Sequence, residues 1–299
     1  MSIEIVPKEA AAFLTWPGVL AALEAGHRLP RAEIADTLLF RGTDTLLNRA
    51  AWIDGLGQLV KCATLFPGNA AQGKPTVNGA VTLYSDTTGE LQALVDFHLV
   101  TKWKTAGDSL LSASRLARKD ARNFLLVGGG TVARSMEEAY RSRWPEARFT
   151  VWSRNRATAA AMGLPVADDL ETAVRAAEVI CTATMATEPL IRGDWLQPGQ
   201  HLDLIGAYTP AMREVDDTAM SRARVFVDAR ATTLHHIGEL MAPLGSGAIT
   251  EADVIADFYD DPALYARQSA DEITIAKNGG GAHLDLMTAT YIARRWAAR

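Results

Sequence analysis

The sequence predicts an α/β fold in two parts, a doubly wound parallel sheet and a separate α+β domain that also takes in the last helix. Three observations predict it. Continuous apolar runs at 123–127, 179–181, 201–205 and 225–227 alternate with helical stretches, and such unalternated runs are what strands buried on both faces require. The first run breaks into Gly128-Gly129-Gly130 and resumes as a helix. Residues before about 100 read differently, with apolar runs at 77–85 and 91–95 around Asp86-Thr87-Thr88-Gly89, a hairpin pattern. A chain of 299 residues suits two domains. The expected division is residues 1–117 with 281–299, and residues 118–280.

The elements follow in order. Residues 17–25 read as a helix, and 31–40 as a second, with Ile34, Leu38 and Leu39 on one face. Residues 58–65 read as a strand, closed by the turn residues Phe66-Pro67-Gly68-Asn69. A long helix spans 101–118, apolar at Leu110, Leu111, Ala113 and Leu116. Then come the strand at 123–127, a helix at 132–143 and a strand at 148–152. Near the end, residues 273–276 are strand-like and Asn278-Gly279-Gly280-Gly281 breaks them. A final helix, 283–295, carries Leu284, Met287 and Tyr291 on one face.

Composition narrows the function classes. Apolar residues make up 48% and charged residues 22%, an ordinary globular balance. The net charge of −5, without a basic block, argues against a nucleic-acid partner. Cys62 and Cys181 are too few and too far apart for a disulfide framework or a CxxC site, and they suit a reducing cytoplasm. No stretch reaches 18 apolar residues and no signal-peptide pattern opens the chain, so a cytoplasmic protein without a membrane segment is expected. His235, His236 and Glu239 match neither HExxH nor HxxEH, so no metal is expected.

The strongest local signal is Gly128-x-Gly130-x-x-Ala133 between a strand and a helix. Gly128 permits the tight turn, Gly130 lets a pyrophosphate approach the backbone, and Ala133 lets helix and strand pack closely. The helix then offers the free N–H groups of Thr131 and Val132 to the phosphates. This is the fingerprint of a Rossmann dinucleotide site. Enzymes that use NAD commonly place a carboxylate after the second strand for the ribose 2′-hydroxyl. Here that strand runs into Ser153-Arg154-Asn155-Arg156, without a carboxylate. Guanidinium groups pair well with a 2′-phosphate, so NADPH is expected as the preferred cofactor, with NADH possible.

Several segments together resemble the ornithine cyclodeaminase/mu-crystallin family: KCATLFPGN (61–69), DTTGELQALVD (86–96), KTAGDSLLSA (104–113), VGGGTVA (127–133), TATMATEP (182–189) and GAYTPAMREVDD (206–217). The resemblance runs from about residue 38 to the end. It implies that the first domain, joined by the C-terminal helix, carries the substrate site and the homodimer interface, with a Rossmann domain between. It implies small amino or imino acid substrates whose carboxylate is gripped by basic side chains, here Lys61, Lys104 and, on a looser alignment, Arg41. It implies further cofactor contacts from Lys104, Thr105, Thr182 and Thr184. Asp228 also ends a strand at the rim where cofactors bind.

Position 208 separates the activities within that family. Members that cyclise ornithine carry Asp just after the Gly-Ala, whereas this chain has Tyr208. A phenol with a reference pKa near 10 is a poor base at neutral pH. The resemblance there is to the cyclic imine reductases, which convert Δ1-pyrroline-2-carboxylate or Δ1-piperideine-2-carboxylate to proline or pipecolate. Lys61 and Tyr208 are the catalytic candidates. The alternatives are an ornithine cyclodeaminase, an alanine-dehydrogenase-like enzyme, or a non-catalytic NADPH-dependent ligand-binding protein of the mu-crystallin kind.

Overall fold

The computed structural model describes residues 3–299. The chain divides into two compact units, Met1–Gly107 with Gly281–Arg299, and Asp108–Gly280.

The first unit is built on a six-stranded mixed sheet. Its elements are β1 (Glu4–Val6), α1 (Trp16–His27), β2 (Glu33–Arg41), β3 (Asp44–Ile53), β4 (Gly57–Leu65), β5 (Val77–Tyr84), β6 (Leu91–Asp96) and the N-terminal part of α2 (Phe97–Leu116). The strand order is β1-β6-β5-β4-β3-β2, antiparallel throughout except for β1 beside β6. The Thr15 hydroxyl caps α1 by accepting from Gly18 N at 3.2 Å. The C-terminal helix (Ala282–Ala297) starts after the glycine break and packs on α1, β3 and β4. It covers the face of the sheet that carries Leu59, Ala63, Val81, Leu83 and Val95, all buried. The border at 107/108 falls inside α2, which is continuous through it.

One expected element is corrected. Residues 31–40 are not a helix: residues 33–41 form β2, paired with β3 from Glu33↔Trp52 to Arg41↔Asp44. Gly42, at φ +58°, makes the tight connection. The i, i+4 spacing of Ile34 and Leu38 imitates a helix face. A ladder along the whole segment satisfies its backbone groups, and the pairing outweighs the local pattern.

The second unit holds a seven-stranded sheet, parallel at every pairing, in the order β12-β11-β13-β10-β9-β7-β8. Its elements are β7 (Asn123–Val127), α3 (Thr131–Arg143), β8 (Arg148–Trp152), α4 (Arg156–Ala160), α5 (Leu170–Ala176), β9 (Val179–Thr182), β10 (His201–Leu204), α6 (Asp217–Arg222), β11 (Arg224–Val227), α7 (Arg230–Thr233), α8 (Gly238–Ser246), β12 (Val254–Ala256) and β13 (Thr274–Lys277). Leu125, Ile180, Leu202, Ile275 and Val225 come from five strands of this sheet and share one core with helix residues such as Val174 and Leu240. The chain leaves β7 for β8 on one side and returns to β9 on the other, so the sheet reverses direction between β7 and β9. Ligands of open α/β sheets bind at the carboxyl ends of the strands at such a reversal. Among the described residues, no helix is long and apolar enough to cross a membrane.

Ile275 sits on the central β13, between β10 and β11, and is fully buried. Ile275→Ala is expected to cost about 2–5 kcal/mol, the range for a large aliphatic side chain removed from a packed core. Equilibrium urea unfolding measures it, and a loss below about 1 kcal/mol contradicts the packing described.

Candidate active site

In the first unit, sheet register builds a row of side chains. Val95, Val81, Lys61, Arg49 and Asp36 are successive cross-strand partners from β6 to β2. They share one face because side chains alternate along each strand. The buried Lys61 ammonium donates to Asp285 Oδ1 at 2.8 Å and to Thr101 Oγ1 at 2.9 Å, and lies 4.8 Å from the Phe97 ring centroid. Asp285, in the first turn of the C-terminal helix, is fully buried. Arg49 forms a forked pair with Asp36, with contacts of 2.8–3.0 Å. Lys104, one turn beyond Thr101 on α2, is buried.

Charge and burial act together in this cluster. Burial lowers the Lys61 pKa; Asp285 opposes that, while Lys104 and Arg49 add to it, and the net shift is downward. Burial raises Asp285, but Lys61, Lys104 and Arg49 outweigh it and hold the carboxyl ionised, below its ordinary range. His283, two residues before Asp285, is held well below 6.5 by burial, His27 and Lys104, so it is neutral at pH 7. Lys61 and Lys104 thus both act on the buried Asp285 carboxylate.

Arg41 does not join this row. It lies five residues beyond Asp36, which puts it on the opposite face of β2. Its side chain is 80% exposed, pairs with Asp44 at 2.9 Å and approaches the Phe66 ring. Arg49 and Asp285 were not singled out from sequence. Arg49 is found only through register, and Asp285 only once the last helix is seen on the sheet. Thr105 is half-buried on α2 beside Lys104.

In the second unit, the glycine turn follows β7. Gly128 has φ +117°, and a Cβ there would lie 2.5 Å from the Ala183 carbonyl, so neither the backbone nor the space admits a side chain. Gly130 caps α3, and a Cβ there would meet nothing within 4 Å. Open space above a bare backbone, at the N-terminus of a 13-residue helix, fits a pyrophosphate. Thr131 and Val132 open that helix, and Ala133 is buried against the sheet.

The loop after β8 presents Ser153, half-buried, and Arg154, exposed and without a polar partner among the described residues. The Asn155 side chain caps α4 by accepting from Ala157 N at 3.0 Å. Arg156 pairs with Asp168. The Thr182 hydroxyl is not turned outward: the residue is buried and donates to Glu214 at 2.8 Å. Thr184 gives both its N–H and its hydroxyl to Glu214. Asp228 is fully buried and accepts from Ala229 N and Gly280 N at 2.8 and 2.6 Å, so its carboxylate is committed within the protein. Tyr208, by contrast, is 54% exposed in the loop after β10.

Comparison with known proteins fits this geometry. Residues 54–299 match the model of the ornithine cyclodeaminase/mu-crystallin family. A Paracoccus denitrificans protein named Δ1-pyrroline-2-carboxylate reductase is 50% identical over 298 residues, 96% of this chain and 94% of its own. An archaeal alanine dehydrogenase dimer with bound NAD superposes with a TM-score of 0.90 at 26% identity, covering 100% of this chain and 97% of that one. The Δ1-pyrroline-2-carboxylate reductase of Thermococcus litoralis shares the fold, with a TM-score of 0.89 at 22% identity over 99% of this chain and 98% of its own. The chain therefore belongs to the ornithine cyclodeaminase/mu-crystallin family.

Proposed function

We propose that the protein is an NAD(P)H-dependent reductase of small cyclic imino acids, converting Δ1-pyrroline-2-carboxylate, Δ1-piperideine-2-carboxylate or both to L-proline and L-pipecolate. The observation that carries this reading is the buried cluster in which Lys61 and Lys104 both act on the Asp285 carboxylate. The carboxylate of an imino acid gives these two cations a second anion to hold. The relative named Δ1-pyrroline-2-carboxylate reductase, at half identity over almost the whole chain, supports the same substrate class.

The 128–132 turn would hold the cofactor, which when bound supplies a hydride to the carbon of the nitrogen-protonated imine, so that C=NH⁺ becomes CH–NH. The chain's own residues hold and orient the substrate. Lys61 and Lys104 grip the carboxylate, Lys61 being fixed by Asp285 and Thr101 before substrate arrives. Lysines offer point charges in place of the forked contact an arginine would give. Tyr208 offers a phenol where an ornithine cyclodeaminase carries a carboxylate, which favours reduction over ammonia loss. The preference for NADPH rests on Arg154, which has no competing carboxylate, more than on Arg156, which Asp168 partly neutralises.

We further infer a homodimer through the first unit. Ile5, Leu94 and Val60 lie on the outer face of its sheet, with Trp52 on the same face, and all are exposed. Leu38, Leu39 and Phe40 add to this apolar surface on the β2–β3 hairpin. A patch of this kind marks an interaction site, and the alanine dehydrogenase of the same fold is a dimer. The free Cys62 and Cys181 suit a cytoplasmic location.

The activity itself is tested by NADPH and NADH oxidation across a panel of cyclic imino acids; no oxidation with any of them at any pH rejects the reading. Lys61→Met is expected to lower kcat/KM at least thirtyfold, about 2 kcal/mol of transition-state stabilisation. It also takes from the buried Asp285 the ammonium bonded to it at 2.8 Å, at a cost of about 3–5 kcal/mol in stability. The Lys61→Met, Asp285→Asn double variant relieves that cost. It should regain stability in urea unfolding and keep cofactor affinity, yet stay inactive. A fully active double variant would remove Lys61 from the site.

The grip also has a pH signature. Protonated Lys61 holds the carboxylate, so the grip is complete at low pH and lost as pH rises through its lowered pKa. Asp285→Asn removes the charge that raises that pKa, so the alkaline limb of kcat/KM should move to lower pH. The substrate's own titration is common to both proteins, and an unmoved limb counts against the pair.

For the cofactor, Arg154→Ala should raise KM for NADPH about tenfold, the loss of a charge-assisted contact of about 1.5 kcal/mol, and leave KM for NADH nearly unchanged. Arg156→Ala should do less. Equal effects on the two cofactors would mean that these arginines support the loop without reading the phosphate.

A further inference from the structure

Beneath the carboxyl edge of the parallel sheet lies a buried polar network that the reaction as described does not use. Glu214 is fully buried and its carboxylate takes five donors. Oε1 accepts from Thr184 N at 2.8 Å and Thr184 Oγ1 at 2.7 Å. Oε2 accepts from Thr182 Oγ1 and Gly206 N, both at 2.8 Å, and from Ala207 N at 3.3 Å. One side chain thus ties the loop after β9 to the loop after β10. The two loops are pressed together: a Cβ on Gly206 would lie 2.1 Å from the Thr184 carbonyl and 2.4 Å from Glu214 Oε1.

The rest of the network braces Glu214. The Glu239 carboxylate accepts from Glu214 N at 2.8 Å and Val215 N at 3.0 Å, clamping the segment that carries it. Lys277, fully buried at the end of β13, donates to the Leu204 and Ala207 carbonyls at 2.8 and 2.7 Å. Segment 204–207 is therefore held by its carbonyls from Lys277 and by its amides from Glu214. The side chains just beyond the braced segments are open: Met185 is 72% exposed and Tyr208 54%.

We propose that Glu214 is a positioning residue for the nicotinamide half of the cofactor, fixing the loops after β9 and β10 as one rigid surface and aiming Tyr208 from it. The inference rests on the NAD(P)H reading above. In a Rossmann sheet each half of the dinucleotide lies over one half of the sheet. The adenosine half is read by the loop after β8, which Glu214 does not touch. The nicotinamide half belongs to the strands across the reversal, β9 and β10, whose loops Glu214 joins. Charge is needed as well as shape, because an ionised carboxylate can accept from five donors while a carboxamide brings two N–H groups into the same space. Errors of about 1 Å in such a surface cost on the order of a hundredfold in rate, so a buried brace is felt at the chemistry without touching it.

The test compares each cofactor with its fragment lacking nicotinamide: NADPH with 2′-phospho-ADP-ribose, and NADH with ADP-ribose. Dissociation constants are measured by calorimetry on the full chain. Glu214→Gln is expected to weaken binding of the reduced cofactors about tenfold, to leave the fragments within twofold, and to lower kcat at saturating NADPH. Thr182→Val, isosteric and buried, removes one donor from Glu214 and should shift the same ratio about threefold in the same direction. If Glu214→Gln does not fold, Thr182→Val alone decides by that ratio. Equal loss for cofactor and fragment, or no loss in either folded variant, overturns the proposal. A wild-type protein that binds neither NADPH nor NADH removes the cofactor reading, and this proposal with it.

Discussion

The buried ion pair between Lys61 and Asp285 is the constraint on which the first unit depends. Taking two charges out of water costs several kcal/mol for each ion, and only close contact with further hydrogen bonds repays it. Here the repayment is a 2.8 Å contact, a second bond to Thr101 and the face of Phe97. Neither charge can be released alone without stranding the other. The pair joins β4 to the last helix, so the end of the chain is a structural member of the unit that the beginning builds. That helix in turn shuts water away from the sheet face that carries the pair. Burial makes the pair necessary, and the pair keeps the helix in place.

The second unit meets its own electrostatic demand differently. Its buried charges lie beneath the carboxyl edge of the sheet, where Lys277 faces Glu214 and Glu239. Burial and the neighbouring Glu214 push the Glu239 carboxyl up to about 7, with Lys277 opposing them. Most partners of these groups are backbone amides and carbonyls of the loops after the strands, so the network fixes loops more than it fixes helices. A sheet core made only of Leu125, Ile180, Leu202 and Ile275 would hold the strands, but nothing in it would specify where the loops go. Polar groups do that because each unmet bond carries a penalty.

What the sequence made legible follows from the range of the signal. The parallel strands were readable because runs such as Phe124-Leu125-Leu126-Val127 declare burial on both faces locally. The glycine turn was readable because Gly128 and Gly130 answer a demand made within a few residues. Lys61 and Lys104 came from family resemblance, and the structure shows them buried in one cluster with Asp285. Arg49 escaped notice because its place beside Lys61 is a matter of strand register. Register could not be read while residues 31–40 looked helical. Asp285 and Glu214 escaped for a related reason: an acidic residue in a helix or loop looks solvated until distant segments close over it. The i, i+4 pattern of Ile34 and Leu38 misled because a strand pairing along its whole length needs no strict alternation when, as in β2, residues on both its faces are exposed.

The same separation between buried frame and exposed tip explains how one fold carries several chemistries. Gly206 and Ala207 are fixed by Glu214 and Lys277, and the next side chain, Tyr208, projects from that fixed segment with half its surface in solvent. An exposed side chain at such a place is replaced at little cost to stability, because it fills no packed volume. The backbone just before it, however, is clamped at both amide and carbonyl. A carboxylate at that point brings a base, and a phenol brings a donor and an apolar ring. Replacing the side chain at 208 thus changes the chemical group presented without any change in the frame beneath it.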